Sequence, residues 1–273
     1  MSKTNEQGNG FFKALSSVFA SIAILVALGV SLVIFIFVMG NPANFEGGNP
    51  AGQPLPGNLL AMLYKGGWVV PVLMTTLLVV IIFVLERYIM LAKAKGKGRI
   101  DTFVREVQND LNANKIDEAL VACDKQKGSI ANVMRAGLTK YKELKLDTVL
   151  EKDQKVLALQ KDLEESTALE LPMLSKNLVI LSTLASVCVL IGLFGTVLGM
   201  IKAFAALATA GSPDALALAT GISEALINTA FGIAGSALAI IFYNYFSNKI
   251  DRMTFKIDEA GFSLIQTFAA STK

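Results

Sequence analysis

Histidine is absent from all 273 residues of the chain. That removes the commonest general base, the usual imidazole metal ligand and every Ser-His or Cys-His arrangement. A triad hydrolase or a metal enzyme is not expected, and neither is a cofactor. Cysteine is nearly absent too: Cys123 falls in a polar segment and Cys188 in an apolar one, so free thiols are expected instead of a disulfide. Charged residues make up only 17% and sum to +3, with no basic stripe that would suit nucleic acid.

What is abundant is apolar surface. Hydrophobic residues reach 53% and mean hydropathy is +0.54, too apolar and too unevenly spread for an ordinary soluble domain. Leu15 to Met39 runs uncharged for about 25 residues, enough to cross roughly 30 Å of hydrocarbon with some tilt. A signal peptide competes for this stretch, since Lys3 and Lys13 precede it, but such h-regions run only about 7 to 15 residues. Residues 41–66 are rich in Gly, Pro and Asn and nearly free of positive charge, which reads as an external loop. A second span from Trp68 to about Met90 ends in Glu86, Arg87 and Tyr88. The basic run from Lys93 to Arg99 follows, which the positive-inside rule places in the cytoplasm.

The polar segment 93–176 carries apolar residues at helical spacing: Ile100, Phe103, Val104, Val107 and Leu111, then Ile130, Val133, Met134, Leu138 and Tyr141. Leu146 to Leu171 reads as one longer charged helix, with Pro172 either starting the next span or kinking the helix. Two more apolar stretches, Leu178 to about Phe204 and about Pro213 to Phe246, form a hairpin. Ser212 is its expected N-cap, Pro213 the first helical residue and Asp214 part of the first turn. The tail 247–273 has Ile250, Met253, Ile257, Leu264, Ile265 and Phe268 on one helical face. The expected organisation is an all-α membrane protein. It divides into an N-terminal segment with the first span (1–40), the external loop (41–66), a second span (67–92), a cytoplasmic helical domain (93–176), a hairpin (177–246) and a cytoplasmic C-terminal helix (247–273). Both termini fall on the cytoplasmic side, and Lys202, near the outer end of the third span, is expected to snorkel outward.

Glu224 is the feature that demands explanation. Counted from Ser212 it lies about 17 Å along its helix, too far in to act as a cap. A charge in that zone costs about 2.5 kcal/mol or more on insertion scales, so an intramembrane acid is a functional-site candidate by default. Asn228 follows one turn on, about 40° round. Thr196 interrupts the third span; its hydroxyl lines a wet path or bonds back to the preceding turn. The alternative for Glu224 is an ion pair with Lys202 across the hairpin, which fixes packing without transport. Gly195, Gly199 and Gly232 sit among other small residues that let helix backbones approach closely in lipid.

"LIGLFGTVLGMIKAF" at 190–204 and "GISEALINTAFGIAGSALAIIFYN" at 221–244 together resemble the ExbB and TolQ branch of the MotA/TolQ/ExbB proton-channel proteins. The resemblance covers the last two spans closely, the second span loosely, and the cytoplasmic segment in position and length only. It implies a bacterial inner-membrane complex in which a homo-oligomer of five copies surrounds a single-span ExbD- or TolR-like partner supplying an aspartate, with a TonB-like protein as a further partner. It also implies a proton pathway of Glu224, Thr229 and Thr196, with Asn228 and Lys202 as accessory residues. On an ideal wheel, however, Thr229 lies about 140° from Glu224, so one face cannot present both equally. The first span and Gly/Pro loop are extra relative to the usual three-span plan, which leaves the driven process open. TonB-type outer-membrane transport stands first, with Tol-type envelope maintenance or motility as alternatives. A secondary transporter would show repeats and broken helices, which this sequence does not. A non-conducting scaffold would need Glu224 only for assembly.

Overall fold

The computed structural model describes residues 19–208 and 214–271. The described chain is helical, with one isolated bridge between Phe45 and Pro54 and no strand. It divides into two compact units, residues 1–84 with 180–242 and residues 85–179 with 243–273. Four helical stretches are long and apolar enough to cross a membrane: Phe19–Met39, Val69–Asn112, Lys152–Leu207 and Ala215–Ser271. This is a multi-pass membrane protein.

In the first unit, α1 (Phe19–Met39) ends in a π-helical turn over Ile34–Met39. The part of the expected first span before Phe19 lies outside the described residues. The segment after it is not a flexible linker. Short 3₁₀ turns at Pro42–Asn44 and Glu46–Gly48 lead into α2 (Leu59–Tyr64). Two asparagines hold the fold. Asn44 Nδ2 donates to the Val38 carbonyl at 2.8 Å, Asn58 Nδ2 to Asn44 Oδ1 at 3.0 Å, and Asn58 Oδ1 caps α2 by accepting from the Ala61 N–H. Lys65 Nζ donates to the carbonyls of Pro50 (3.0 Å) and Ala51 (2.9 Å). Partial burial lowers the Lys65 ammonium below the ordinary lysine value. Phe45, 3% exposed, packs edge-on against Tyr64, which stacks on Phe35. The sequence showed only the turn formers here, because asparagine side chains that bond across 14 residues leave no periodic signal.

The rest of the first unit comes from α3 (Val69–Lys95), α8 (Leu178–Leu207) and α9 (Ala215–Ser271). A small apolar cluster of Phe35, Met39, Val70 and Met74 packs with Ile227 and Phe231 of α9, seating the N-terminal helix on the hairpin. The expected cap of the hairpin needs correction. Ser212 and Pro213 lie outside the described residues, and Asp214 is not in the first turn but is itself the cap. Its Oδ1 accepts from the N–H groups of Leu216 and Ala217, each at 3.0 Å. Glu224 is therefore about 13 Å into α9, not 17.

In the second unit, α4 (Ile100–Asn112), α5 (Ile116–Gln126), α6 (Ser129–Leu146) and α7 (Lys152–Ser175) form a helical bundle with the end of α9. The apolar faces read from the spacing are buried, Phe103, Val107 and Leu111 on α4 and Ile130, Val133, Met134, Leu138 and Tyr141 on α6. Helix α5 was not anticipated; Ala119, Ala122 and Cys123 are its buried positions, small residues that make a weak periodic pattern. The longer charged helix expected over 146–171 is α7, which starts later than the sequence suggested. Asp147 Oδ1 accepts from the Val149 and Leu150 N–H groups, ending α6 in a turn before α7 begins at Lys152. Pro172 lies inside α7, and the break comes after it, at Lys176 and Asn177, where Asn177 takes a φ of 63°. The tail 247–271 is not a separate helix but the continuation of α9. Within it, Met253, Ile257, Leu264 and Phe268 are buried, and the Tyr141 hydroxyl bonds Ser271 Oγ at 2.8 Å.

Glu86 and Arg87 are more than a boundary anchor. Arg87 is 0% exposed, its Nε and Nη2 fork onto the two Glu86 oxygens at 2.6 and 2.7 Å, and its Nη1 donates to the Leu174 carbonyl at 3.2 Å. That carbonyl belongs to the last turn of α7, so one guanidinium ties α3 to a helix end. Truncating one member of a buried pair strands the other. Arg87→Leu is expected to destabilise the protein by about 3–5 kcal/mol in detergent-phase thermal unfolding, and Glu86→Gln added to it to recover part of the loss. Burial pushes the Cys123 thiol up to about 12. It therefore stays protonated at pH 8, and alkylation by iodoacetamide, read by mass spectrometry, is expected only after denaturation.

Candidate functional site

Glu224 is 4% exposed, in the third turn of α9. Its carboxylate is held by a single cation. Lys202 Nζ, from the outer part of α8, donates to Oε1 at 2.7 Å and Oε2 at 2.9 Å. Lys202 therefore does not snorkel away from the protein; its ammonium turns onto the acid, the ion pair across the hairpin that stood as the alternative for Glu224. The reason is cost: a lone buried carboxylate in an apolar helix has nowhere else to place its charge. The pair is lopsided. The Lys202 side chain is 58% exposed and the Glu224 side chain only 6%, so the lysine is the member free to leave.

The other wall of the carboxylate pocket is the Gly66–Gly67 turn that precedes α3. Gly67 has a φ of 75°, and a Cβ there would collide with Glu224 Oε1 and come within 2.8 Å of its Cδ. Gly66 offers its carbonyl to Asn228 Nδ2 at 3.1 Å. Asn228 is 0% exposed, and its Oδ1 has no hydrogen-bond partner among the described residues. A buried acceptor left so costs about 1–3 kcal/mol, which marks it as ready for a donor. Neither glycine was singled out from the sequence. The adjacent Gly-Gly before Trp68 is a turn signal, but nothing local says that the turn meets a residue about 160 positions later.

Thr196 and Thr229 meet on another side of the hairpin. Their hydroxyls bond each other, one donating and the other accepting; the Ala225 carbonyl lies 3.0 Å from Thr229 Oγ1 and the Gly192 carbonyl 3.1 Å from Thr196 Oγ1, so the hydroxyl that accepts keeps its own hydrogen for its preceding turn. Thr196 thus lies within reach of its own preceding turn, one of the two readings open to it from the sequence, and bonds a hydroxyl across the hairpin, which the sequence did not suggest. Helical geometry already set Thr229 and Glu224 on different faces of α9, and the structure gives each its own partner on α8. The site has two centres, a charged one and a hydroxyl one.

Backbone contact between α8 and α9 brings them so near. A Cβ on Gly192 would lie 2.9 Å from the Gly232 Cα, one on Gly199 would lie 2.6 Å from the Ala225 nitrogen, and one on Gly195 would lie 2.6 Å from the Asn228 Cβ. Glycine at these positions lets Asn228 enter and lets both backbones touch. Ser236 Oγ adds a 2.5 Å bond to the Ala185 carbonyl further along the hairpin.

An apolar helical hairpin in backbone contact, with a carboxylate, an amide and two hydroxyls turned inward, defines an intramembrane polar site in a multi-pass protein of the kind that handles ions. The sequence model of the MotA/TolQ/ExbB proton channel family matches residues 125–259. The chain belongs to that family, on its ExbB/TolQ side. It is 26% identical over 162 residues to the Tol-Pal system protein TolQ of Pseudomonas aeruginosa, covering 59% of this chain and 70% of that protein. It is 42% identical over 82 residues to the TolQ of Haemophilus influenzae, 30% of this chain and 36% of that protein. The biopolymer transport protein ExbB of Pseudomonas putida is 33% identical over 81 residues, 30% of this chain and 25% of that protein.

The contact between Gly67 and Glu224 is open to a double-mutant test. Gly67→Ala is expected to cost more than the roughly 1–2 kcal/mol of a left-handed alanine, since its Cβ also displaces the carboxylate. In a Glu224→Ala background the same substitution should cost only that backbone strain. Thermal unfolding of the four proteins reads the coupling.

Proposed function

We propose that this chain is the non-enzymatic, channel-forming subunit of a proton-driven stator complex in the bacterial inner membrane, with both termini cytoplasmic. Five copies enclose the transmembrane helix of an ExbD- or TolR-like partner, whose aspartate exchanges protons with a path lined by Glu224, Thr196 and Thr229. The burial of Glu224 against one exposed, releasable lysine carries this reading. When the Lys202 ammonium leaves, the buried carboxylate loses its counter-charge, and a proton delivered along the path can take its place. One charge moved through 100 mV releases about 2.3 kcal/mol, so a few protons per step can drive a mechanical rearrangement without nucleotide. The relatives carry both ExbB and TolQ names, which supports an envelope-directed machine. TonB-type outer-membrane transport is the driven process we assign, with Tol-type maintenance as the alternative; lost uptake of outer-membrane substrates against detergent sensitivity on deletion separates them.

A second reading is favoured by the same ion pair: a non-conducting scaffold in which Lys202 and Glu224 only lock the hairpin. Glu224→Gln decides between them, because glutamine keeps the shape and can still accept from Lys202 but cannot titrate. The expected result is at least a tenfold loss of potential-driven proton flux in vesicles carrying the assembled complex, with subunit number by native mass spectrometry unchanged. Unchanged flux would remove the titrating role, and a broken assembly would move the scaffold ahead.

A further inference from the structure

Beside the Glu224 site lies a cavity of about 200 Å³. One wall is the folded loop, with Ala51, Gln53, Pro54, Met62 and Lys65; the other is the first two turns of α9, with Thr220 and Ser223. Ser223 immediately precedes Glu224 in the chain. We propose that this cavity is an aqueous vestibule that admits water and protons from the external side to the Glu224 site, and that Thr220 and Ser223 line its inner wall.

Size decides the occupant first. The volume is roughly a dozen times what one water needs, yet it falls below the ~300 Å³ at which small-molecule pockets begin, so a chain of waters fits and an organic solute does not. Chemistry narrows it further. The lining offers two hydroxyls, an amide and carbonyl-rich turn backbone, the two-to-four-partner environment in which buried water is held. The ammonium of Lys65 lines the same space, fixed by the Pro50 and Ala51 carbonyls. That charge disfavours a metal cation at rest in the cavity.

Position does the rest. The Gly66–Gly67 turn that closes over the carboxylate continues directly from the α2 segment that walls the cavity, so the loop both builds the vestibule and bounds the acid. Ser223 stands about 100° round α9 from Glu224, so the cavity reaches the residue beside the acid, and the carboxylate itself lies behind the Gly67 backbone. The extra N-terminal span and loop thereby acquire a role: they fold a polar antechamber onto the outer end of the hairpin, where bare helices would face lipid.

The inference rests on Glu224 being the proton-exchanging group, but its test does not. Ser223→Cys is placed in the full chain, assembled in its own membrane, and exposed to sulfonatoethyl methanethiosulfonate, a small membrane-impermeant thiol reagent, from the external side. Residue-level mass spectrometry reads the label. Ile233→Cys, at a 57% exposed apolar position deeper in α9, is the control, and the wild-type chain reports on the buried Cys123 and Cys188. The expected result is labelling of Ser223→Cys at least tenfold faster than Ile233→Cys, and a tenfold slowing when Ala219→Trp fills the cavity. Labelling at the control rate, labelling only from the cytoplasmic side, or labelling indifferent to Ala219→Trp would each overturn the vestibule. Rapid external labelling in a complex that conducts no protons would leave the vestibule standing and remove the channel reading instead.

Discussion

The structure around the hairpin is arranged to keep one carboxylate where hydrocarbon would otherwise be. An acid in an apolar helix has three outlets: to stay protonated, to find a cation, or to face water. This fold supplies the cation through Lys202 and leaves that lysine half outside. It closes the remaining side with backbone, through a turn whose first glycine takes a hydrogen bond from Asn228 and whose second has no side chain to intrude. Nearly every unusual residue choice nearby follows. Gly195 makes room for Asn228, Gly199 and Gly192 bring α8 close enough for the lysine to reach, and the N-terminal loop is folded tightly enough to hold the turn in place.

Much of this was readable from composition and spacing, and the parts that were not share a cause. The four apolar stretches, the buried faces of α4 and α6 and the polar interruptions at Glu224, Asn228, Thr196 and Thr229 all announce themselves through hydrophobic period or through a charge in the wrong place. The family resemblance rested on the same two runs that turned out to form the hairpin. Helix α5 escaped because its buried face is built of alanine and cysteine, too small for a strong pattern. The turn at Asp147 escaped because aspartate looks like any other charge until its oxygen is seen accepting from the N–H groups of Val149 and Leu150. The Gly66–Gly67 wall escaped because it is a contact between residues far apart in sequence, about which local chemistry is silent.

Two ion pairs illustrate opposite uses of the same attraction. Glu86 and Arg87 are adjacent in sequence, and their fork is completed by a helix-end carbonyl, with no exposed member able to let go. Lys202 and Glu224 come from different helices and are joined through one flexible, exposed stem. The first has the form of a fastening and the second that of a latch, and burial is what separates them. In the sequence the first read only as charges at the end of an apolar run, while the second already stood as an alternative for Glu224.

The contact between Gly192 and Gly232 has a consequence for any moving machine built from this hairpin. Two backbones in van der Waals contact through glycine behave like interlocked gear teeth. Translating one helix along the other by a fraction of a turn would push side chains held at this contact, such as Cys188 and Asn228, toward a backbone that has no room for them. The pair α8 and α9 is thus locked in register and can shift only as one body. Its hydroxyl pair at Thr196 and Thr229 cannot be pulled open by sliding, so any opening and closing of a polar path here falls to side chains that swing and to whatever surface lies against the hairpin from outside.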